Sequence, residues 1–364
     1  MCLVAASLCL ALCWLLCLAG RNFGRCRNLF AIPLCASCRI ELHWVKVMIV
    51  ETTIHSFSLW HHFAHKLGFD AIAFAELARS MGFQGISLSL NDANYRHLGG
   101  REPERMDRMR TFLKNHEMSL ELDTSGTAPE HMSEMLQVAH RMGATALRTY
   151  TQHSGQARQM MQDTANDLAA VMQKANDLDM TVVLENHEDF TGSELMEIID
   201  QVNHPNLKIL YDYGNSQMVL EDPIAALEAV LPNVHSVHFK DHVMIRAEDA
   251  GQLTVAGVPV GDGFLPLTEL TRRLLDQGLR RFTYENVWAY SAPIRTGRMI
   301  SPGVNLGKGS FAYLDPPFDP ARVVLRKSEF DPQTLVEYEL QALHRGHNSF
   351  KQVLKNLGAT GDWA

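Results

Sequence analysis

The sequence predicts an α/β fold, a (β/α)8 TIM barrel, from two observations. From about residue 48 onward, short apolar segments typical of strands alternate with longer segments whose apolar residues recur at helical spacing. About eight strand-like segments fall within roughly 310 residues, which is the size expected of one such barrel. No Gly-rich phosphate-binding turn follows the first segment, so the competing doubly wound open sheet is disfavoured.

The candidate strands are short apolar runs that end at a turn or a polar residue. They are 49–56, 85–90, 118–123, 145–150, 181–186, 207–212, 234–239 and 280–285. An amphipathic segment at 332–356 is predicted to be the closing helix. The sequence thus supplies both the repeating units and an element that completes them.

Capping residues mark where the predicted helices begin and end. The first helix has apolar residues at i, i+3, i+4 and i+7, which are Phe74, Leu77, Ala78 and Met81. The starting signals are Asp70, the pair Thr191 and Glu194, and the pair Asp222 and Pro223, and the ending glycines are Gly82, Gly143 and Gly278. Such signals at both ends favour separate βα units.

The charge of the chain excludes some classes of partner. The 364 residues carry a net charge of −8 and contain no run rich in Lys or Arg. Binding of nucleic acid or of an anionic membrane surface requires clustered positive charge. We therefore expect a small-molecule carbohydrate or sugar-acid substrate, no nucleic acid, and no specific protein partner, although a homo-oligomer is compatible with the sequence.

The cysteines divide the chain into two parts, because all seven precede Met48. Residues 1–47 are expected to be an apolar, Cys-rich extension: either 1–20 act as a signal or membrane anchor, or Met48 is the natural start. The catalytic domain is expected to span 48–364. Because it lacks cysteine, it suits a cytoplasmic enzyme with oxygen and nitrogen metal ligands, or an exported or anchored one if 1–20 is a true signal.

Four strand-like segments in the second half of the chain end at a metal-binding side chain. These residues are Glu185, Asp212, His238 and Glu285. In a TIM barrel the carboxyl ends of the strands meet at one face, so three carboxylates and one imidazole would surround one cation. Oxygen and nitrogen ligands suit Mn²⁺, Mg²⁺ or Co²⁺, and we favour Mn²⁺.

The segment 288–327 interrupts the regular succession of short loops. It follows the last candidate strand, is rich in Pro, Gly and aromatic residues, and has no clear periodicity. Long loops of this kind in a compact domain are usually functional, so we expect a lid over the barrel mouth.

Five ordered motifs give the chain a resemblance to a known family. They are LEN at 184–186, DYGN at 212–215, HFKD at 238–241, VGDG at 260–263 and YEN at 284–286. Over about 48–286 and the final helix, the chain resembles the xylose isomerase-like TIM barrels, the sugar phosphate isomerases and epimerases of the AP endonuclease 2 superfamily. The resemblance implies that the four strand-end residues bind one divalent metal, and that Glu185 and Glu285 are the catalytic acid and base.

The ligand set favours chemistry next to a carbonyl group. A cation that chelates a ketone and its neighbouring hydroxyl stabilises the enediolate left after a proton is removed. Glu185 and Glu285 on opposite walls would then exchange protons on opposite faces of the substrate. We expect a sugar isomerase or epimerase; the alternative is a lyase that decarboxylates a 3-oxo sugar acid, and a barrel that binds sugar without turnover is disfavoured by the intact ligand set.

Further residues are predicted to bind the substrate. His187 and Lys240 each lie two positions beyond a ligand and share its strand face, and His55 and Tyr150 follow other strands. In the decarboxylase alternative, Arg295 and Arg298 would join Lys240 in holding a carboxylate.

The chain departs from the ketose 3-epimerases, which the resemblance would otherwise suggest. Where those enzymes place additional Glu, His and Arg residues, this chain has Thr191, Asn215 and Met244. A free ketohexose substrate is therefore disfavoured. The trinuclear zinc site of endonuclease IV is also disfavoured, because Asn215 replaces one of its histidines.

Overall fold

Eight parallel strands form a closed barrel, which confirms the predicted fold class. The computed structural model describes residues 47–246, 253–295, 297–361 and 363. The barrel strands are β1 (Glu51–His55), β2 (Gly85–Ser89), β3 (Ser119–Asp123), β4 (Ala146–Thr149), β5 (Thr181–Glu185), β6 (Leu207–Asp212), β7 (Val234–Phe239) and β8 (Arg281–Tyr284). Each pairs in parallel with its neighbours in the chain, and β8 pairs with β1 to close the barrel.

The barrel strands form where the sequence has apolar runs because both faces of a parallel barrel are covered. In β2, for example, all five residues of the segment GISLS are buried. The eight strands coincide with the eight predicted segments to within two residues at either end.

Nine α-helices are present among the described residues, and capping side chains fix where several of them begin. They are α1 (Trp60–His65), α2 (Ala71–Ser80), α3 (Pro103–Asn115), α4 (Pro129–Met142), α5 (Ala157–Asp177), α6 (Gly192–Val202), α7 (Pro223–Val230), α8 (Leu267–Gln277) and α9 (Pro332–Asn356). Asp70 accepts two N–H groups of α2, and Thr191 with Glu194 forms the predicted capping box of α6. Gly143 follows α4 at a φ of 81°, a value that favours glycine.

An antiparallel sheet that the sequence did not predict is formed by segments that follow β7 and β8. Strand Leu253–Val258 pairs with Asp241–Arg246 on one side and with Ser291–Pro293 on the other. Gly257 passes very close to the chain that follows β8, because a Cβ atom there would lie 1.9 Å from the carbonyl oxygen of Val287. The segments after β7 and β8 are therefore joined outside the barrel.

The predicted loop 288–327 packs against this added sheet. Phe311 is buried in a cluster with Met244, Val255 and Met218. The cluster gives the segment an apolar core of its own, although it has little regular secondary structure. Its role as a lid stays a prediction.

The closing helix α9 is tied to the end of β8 and to the start of α1. The buried carboxylate of Glu339 accepts the backbone N–H groups of His61 and His62, and it also pairs with His62 Nδ1 at 2.7 Å. The side chain of Asn286, the residue after Glu285, donates to the carbonyl oxygen of Glu339 at 3.4 Å. The last helix thus supports the site face of the barrel.

The predicted extension 1–47 lies outside the described residues except for Val47. Within the part of the chain that the structure describes, none of the helices combines the length and apolar character needed to span a membrane.

Candidate metal centre

The four strand-end residues singled out in the sequence lie together in the structure. Glu185 and Asp212 are the last residues of β5 and β6, His238 lies near the end of β7, and Glu285 directly follows β8. His238 Nδ1 lies 3.2 Å from Glu185 Oε1, 3.8 Å from Asp212 Oδ2 and 3.8 Å from Glu285 Oε2. All four residues are buried, so their charged groups face one another across a small space.

The donor atoms of this cluster fit a divalent cation. Ligand atoms of Glu185, Asp212 and His238 lie within 4.8 Å of one another. Asp212 Oδ2 and Glu285 Oε2 are buried and face the cluster, with Lys240 Nζ beside them. Because burying several carboxylates together is unfavourable unless positive charge compensates them, these four residues are suited to hold one metal ion.

The turn after β6 orients Asp212. Its Oδ1 accepts the backbone N–H groups of Gly214 and Asn215 at 2.9 and 3.1 Å, which leaves Oδ2 to face the cluster. The Asn186 side chain accepts the N–H of Asp212 at 2.5 Å. The LEN and DYGN motifs therefore hold the carboxylate in place as well as supplying it.

Lys240 lies beside two of the carboxylates, as expected for a residue that shares a strand face with His238. Its Nζ atom is 2.7 Å from Asp212 Oδ2 and 3.5 Å from Glu285 Oε2. Although burial alone would lower the pKa of Lys240, these carboxylates raise it above its ordinary value, so the amine is a cation. Burial in turn raises the pKa of Asp212 to about 6 in spite of Lys240.

Arg148 is a site residue that the sequence analysis missed. It belongs to β4, is buried, and places Nη2 at 2.5 Å from Glu185 Oε2. Its guanidinium carbon lies 4.7 Å from the centre of the Tyr150 ring. The available signal was a charged residue within the otherwise apolar segment ALRTY, since a buried arginine needs an anionic partner.

Asp123, at the end of β3, was missed as well. Its Oδ2 atom lies 3.2 Å from His55 Nε2, while His55 Nδ1 lies 2.9 Å from Glu285 Oε1. The described residues His55, Asp123 and His238 form a second group whose donor atoms lie within 4.8 Å of one another. His55 therefore stands between an outer carboxylate and a candidate metal ligand.

A cavity of about 230 Å³ opens onto the cluster. Its lining includes the predicted residues His55, Tyr150, Glu185, His187, Lys240 and Glu285, together with Arg148. The rings of Tyr150 and His187 stack with their centres 3.8 Å apart, and burial lowers the pKa of His187 to about 4. The cavity is smaller than the roughly 300–1,000 Å³ usual for drug-sized ligands, so it suits a compact molecule.

The structure does not bring Arg295 and Arg298 into this cavity. Arg295 is half exposed and pairs with Glu188 at 3.2 Å and with Asp189 at 3.6 Å. Arg298 pairs with Glu194 at 2.8 Å. Both arginines line a neighbouring cavity, because acidic residues after β5 and at the start of α6 hold them there.

Comparison with known proteins places this geometry in a family. The model of the xylose isomerase-like TIM barrel family matches residues 62–298, well over half of the chain. The chain belongs to this family. Among solved structures, a D-psicose 3-epimerase determined in the presence of D-fructose superposes with a TM-score of 0.57 at 13% identity, covering 85% of this chain and 99% of that one. At that identity the likeness concerns the fold alone.

Two relatives are similar at the level of sequence. The uncharacterized protein YihM of Escherichia coli is 25% identical over 203 residues, which is 56% of this chain and 62% of YihM. A 3-oxo-isoapionate decarboxylase of Pectobacterium atrosepticum is 25% identical over 163 residues, which is 45% of this chain and 59% of the decarboxylase. The match covers less than two thirds of either relative. The family comprises epimerases, isomerases and related decarboxylases and dehydratases.

Proposed function

We propose that this xylose isomerase-like barrel is a divalent-metal-dependent enzyme that transfers a proton at a carbon next to the carbonyl group of a sugar or sugar derivative, as an isomerase or epimerase. One observation carries the proposal. Glu185 and Glu285 approach His238 Nδ1 from two different strands and complete, with Asp212, a four-residue ligand set at the carboxyl end of the barrel. Mn²⁺ is the proposed ion.

The two glutamates are suited to act as base and acid on a bound substrate. A divalent cation in the site would polarise the carbonyl group and stabilise the enediolate that forms when the neighbouring carbon loses its proton. Although burial raises the pKa of Glu285, Lys240, His238 and His55 together hold it well below its ordinary value. Glu285 is therefore a carboxylate that can accept a proton. Although burial raises the pKa of Glu185, Arg148 and His238 lower it to about 2, so Glu185 also begins as a carboxylate and would donate a proton only after it has accepted one from substrate or solvent.

The surrounding side chains position these groups. His55 Nδ1 bonds to Glu285 Oε1 at 2.9 Å, and Arg148 Nη2 pairs with Glu185 Oε2 at 2.5 Å. The stacked rings of Tyr150 and His187 form one wall of the cavity, against which a substrate would lie. Fixed carboxylates and a flat wall orient a small substrate for proton transfer.

A second function, decarboxylation of a 3-oxo sugar acid, is favoured by a separate observation. Two cations, Arg148 and Lys240, are buried beside the metal-ligand carboxylates and line the same cavity. One of the sequence relatives is named a 3-oxo-isoapionate decarboxylase, and its substrate is an oxo acid. In this reaction CO₂ would leave instead of a proton, and a glutamate that has first taken up a proton from solvent would protonate the resulting enediolate carbon.

Proton NMR in D₂O distinguishes the two functions. The full-length protein, loaded with diamagnetic Mg²⁺, would be incubated with ketoses, 3-oxo sugars and 3-oxo sugar acids. Entry of deuterium next to a carbonyl group without loss of carbon supports the isomerase or epimerase. Loss of a carboxyl carbon with gain of one deuterium supports the decarboxylase, and absence of both reactions across the panel contradicts the proposal.

The identity of the metal, the cellular location and the oligomeric state are also proposals, and each has its own test. Metal analysis of protein purified without added ions, followed by reloading with Mn²⁺, Mg²⁺ or Co²⁺, tests the preference for Mn²⁺, which should support the fastest turnover. A cytoplasmic location and a homo-oligomer stay predictions from the sequence, tested by fractionation and by sedimentation.

A further inference from the structure

Arg148 is a buried arginine with unused hydrogen-bonding capacity beside the metal ligands. Its Nη1 donates to the carbonyl oxygen of Thr124 at 3.3 Å, and its Nη2 faces Glu185 Oε2 at 2.5 Å. The Nε atom is buried without a hydrogen-bond partner in the described protein, and it lies 3.9 Å from Asp123 Oδ1. A buried guanidinium with an unpaired N–H is unfavourable unless a ligand completes its bonding.

When a divalent cation is bound, the charges of the site sum to one excess positive charge, which one anionic group would balance. Glu185, Asp212 and Glu285 supply three negative charges, of which a divalent cation would neutralise two. Arg148 and Lys240 supply two positive charges and pair with these same carboxylates. With the cation in place the set therefore carries an excess of one positive charge. Asp123 and His55 contact the set through Arg148 and Glu285, but as an ion pair they add no net charge.

The charges at the cavity rim do not remove this excess. Arg96 pairs with Asp92 at 3.2 Å, and Glu188 pairs with Arg295 at 3.2 Å. Both rim residues thus have an oppositely charged partner outside the metal-ligand cluster, and Arg295 is shared between Glu188 and Asp189. The unbalanced positive charge lies inside the cavity, where low exposure to water strengthens its attraction for an anion.

We propose that Arg148 binds a carboxylate of the substrate, which makes the substrate a sugar acid instead of a neutral sugar. The inference rests on the proposed function and narrows its substrate class. The planar guanidinium matches the two oxygens of a carboxylate, and Arg148 lines the cavity into which the metal ligands open. This assignment replaces Arg295 and Arg298, which the sequence suggested for the same task.

Isothermal titration calorimetry of the Mn²⁺-loaded full-length protein tests the proposal. The two unreactive probes are xylonate and xylitol, and xylonate has a carboxylate where xylitol has a hydroxymethyl group. Because xylonate also chelates metal ions, the decisive quantity is the xylonate-to-xylitol affinity ratio in each variant. We expect Arg148→Met to lower this ratio by at least about tenfold, the loss typical of one charge-assisted contact. Arg295→Met, a matched control in the neighbouring cavity, should leave the ratio unchanged.

Arg148→Lys is the control for a folding defect, because it preserves the positive charge and removes only the planar guanidinium group. We expect its affinity ratio to fall at least about threefold. An unchanged ratio in both Arg148 variants, an equal fall in Arg295→Met, or tighter binding of ribose 5-phosphate than of xylonate would each overturn the assignment.

The metal content of each sample separates this inference from the proposed function. If the inference alone fails, the wild-type protein binds Mn²⁺ but shows no carboxylate preference that depends on Arg148. If the proposed function fails, the wild-type protein binds no divalent ion, or binds one and catalyses neither reaction in D₂O.

Discussion

His55 connects Asp123 to Glu285 through the two nitrogens of one imidazole ring. Nε2 lies 3.2 Å from Asp123 Oδ2, and Nδ1 lies 2.9 Å from Glu285 Oε1. Burial lowers the pKa of His55, but the two carboxylates outweigh that effect and raise it to about 9. Asp123 also accepts a hydrogen bond from Ser87, which fixes the carboxylate at the outer end of this row of hydrogen-bonded side chains. The arrangement holds Glu285 in one orientation.

Replacement of Asp123 tests this arrangement. Asp123→Asn keeps the size of the side chain but removes the charge that orients His55, so we expect turnover to fall roughly 10- to 100-fold while bound metal is retained. Metal analysis and steady-state kinetics measure the two effects. Asp167→Asn is the control, because Asp167 makes a similar pair with His153 at 2.8 Å outside the metal centre. Equal losses in both variants would contradict a specific role for Asp123.

Asp212 is expected to be indispensable for metal binding. Asp212→Asn removes an anionic ligand whose Oδ2 is buried in the cluster, and we expect Mn²⁺ affinity to fall by at least about 100-fold. Because an ion bound only to the folded state stabilises it, excess Mn²⁺ should raise the unfolding temperature of the wild type and not of the variant. Glu188→Gln, which changes another cavity carboxylate, should respond like the wild type.

Glu221 makes stability depend on pH. Burial raises its pKa from the ordinary value to about 7, so between about pH 4 and 7 the folded state keeps a proton that the unfolded state loses. Stability should therefore fall as pH rises through this window. Glu221→Gln cannot ionise and retains an acceptor for the Gly192 N–H, which donates at 2.9 Å. We expect the variant to exceed the wild type by roughly 1–3 kcal/mol at pH 8.

Urea unfolding at pH 4 and at pH 8 measures the effect of Glu221. The two proteins should be equally stable at pH 4, where the carboxyl group is protonated in both states. Glu228→Gln is the control, because Glu228 is exposed and a change there should stay within about 0.5 kcal/mol at either pH. A stability difference of Glu221→Gln that does not grow with pH would refute the prediction.

Gly257 is expected to tolerate no side chain. An added Cβ would lie 1.9 Å from the carbonyl oxygen of Val287, so either the added sheet or the chain beyond Glu285 must move. We expect Gly257→Ala to destabilise the fold by about 1–3 kcal/mol and to weaken Mn²⁺ binding. Thermal unfolding and metal titration measure both. Retention of full stability and affinity would show that the contact is loose.

The sequence predicted the barrel well because the strands are short, mostly buried segments bounded by capping or turn residues. All five residues of β2 are buried, and the capping box of Thr191 and Glu194 marks the start of α6. It also indicated that the four strand-end candidate ligands would lie together, because in a barrel such residues meet regardless of loop structure. It missed Asp123 and Arg148, since their importance comes from neighbours on other strands, His55 and Glu185. The charged residue within the apolar segment ALRTY indicates that Arg148 needs an anionic partner, but the local pattern does not show which residue that partner is.

Loop geometry was harder to predict than the barrel. Arg295 belongs to a segment without periodicity, and Glu188 and Asp189 determine where its side chain lies. The strand Leu253–Val258 depends on pairing with two distant segments, which leaves little trace in a single sequence.

The contact between α9 and the residues after β8 can form only late in translation, because α9 is the last helix to be synthesised. Every candidate metal ligand has been synthesised by the time Glu285 is added, yet Glu339, whose carbonyl oxygen accepts from Asn286, lies 53 residues beyond Asn286. A nascent chain therefore contains the complete donor set before the helix that steadies its last member exists. We expect the growing polypeptide to acquire a stable, ion-competent centre only after translation of this final helix.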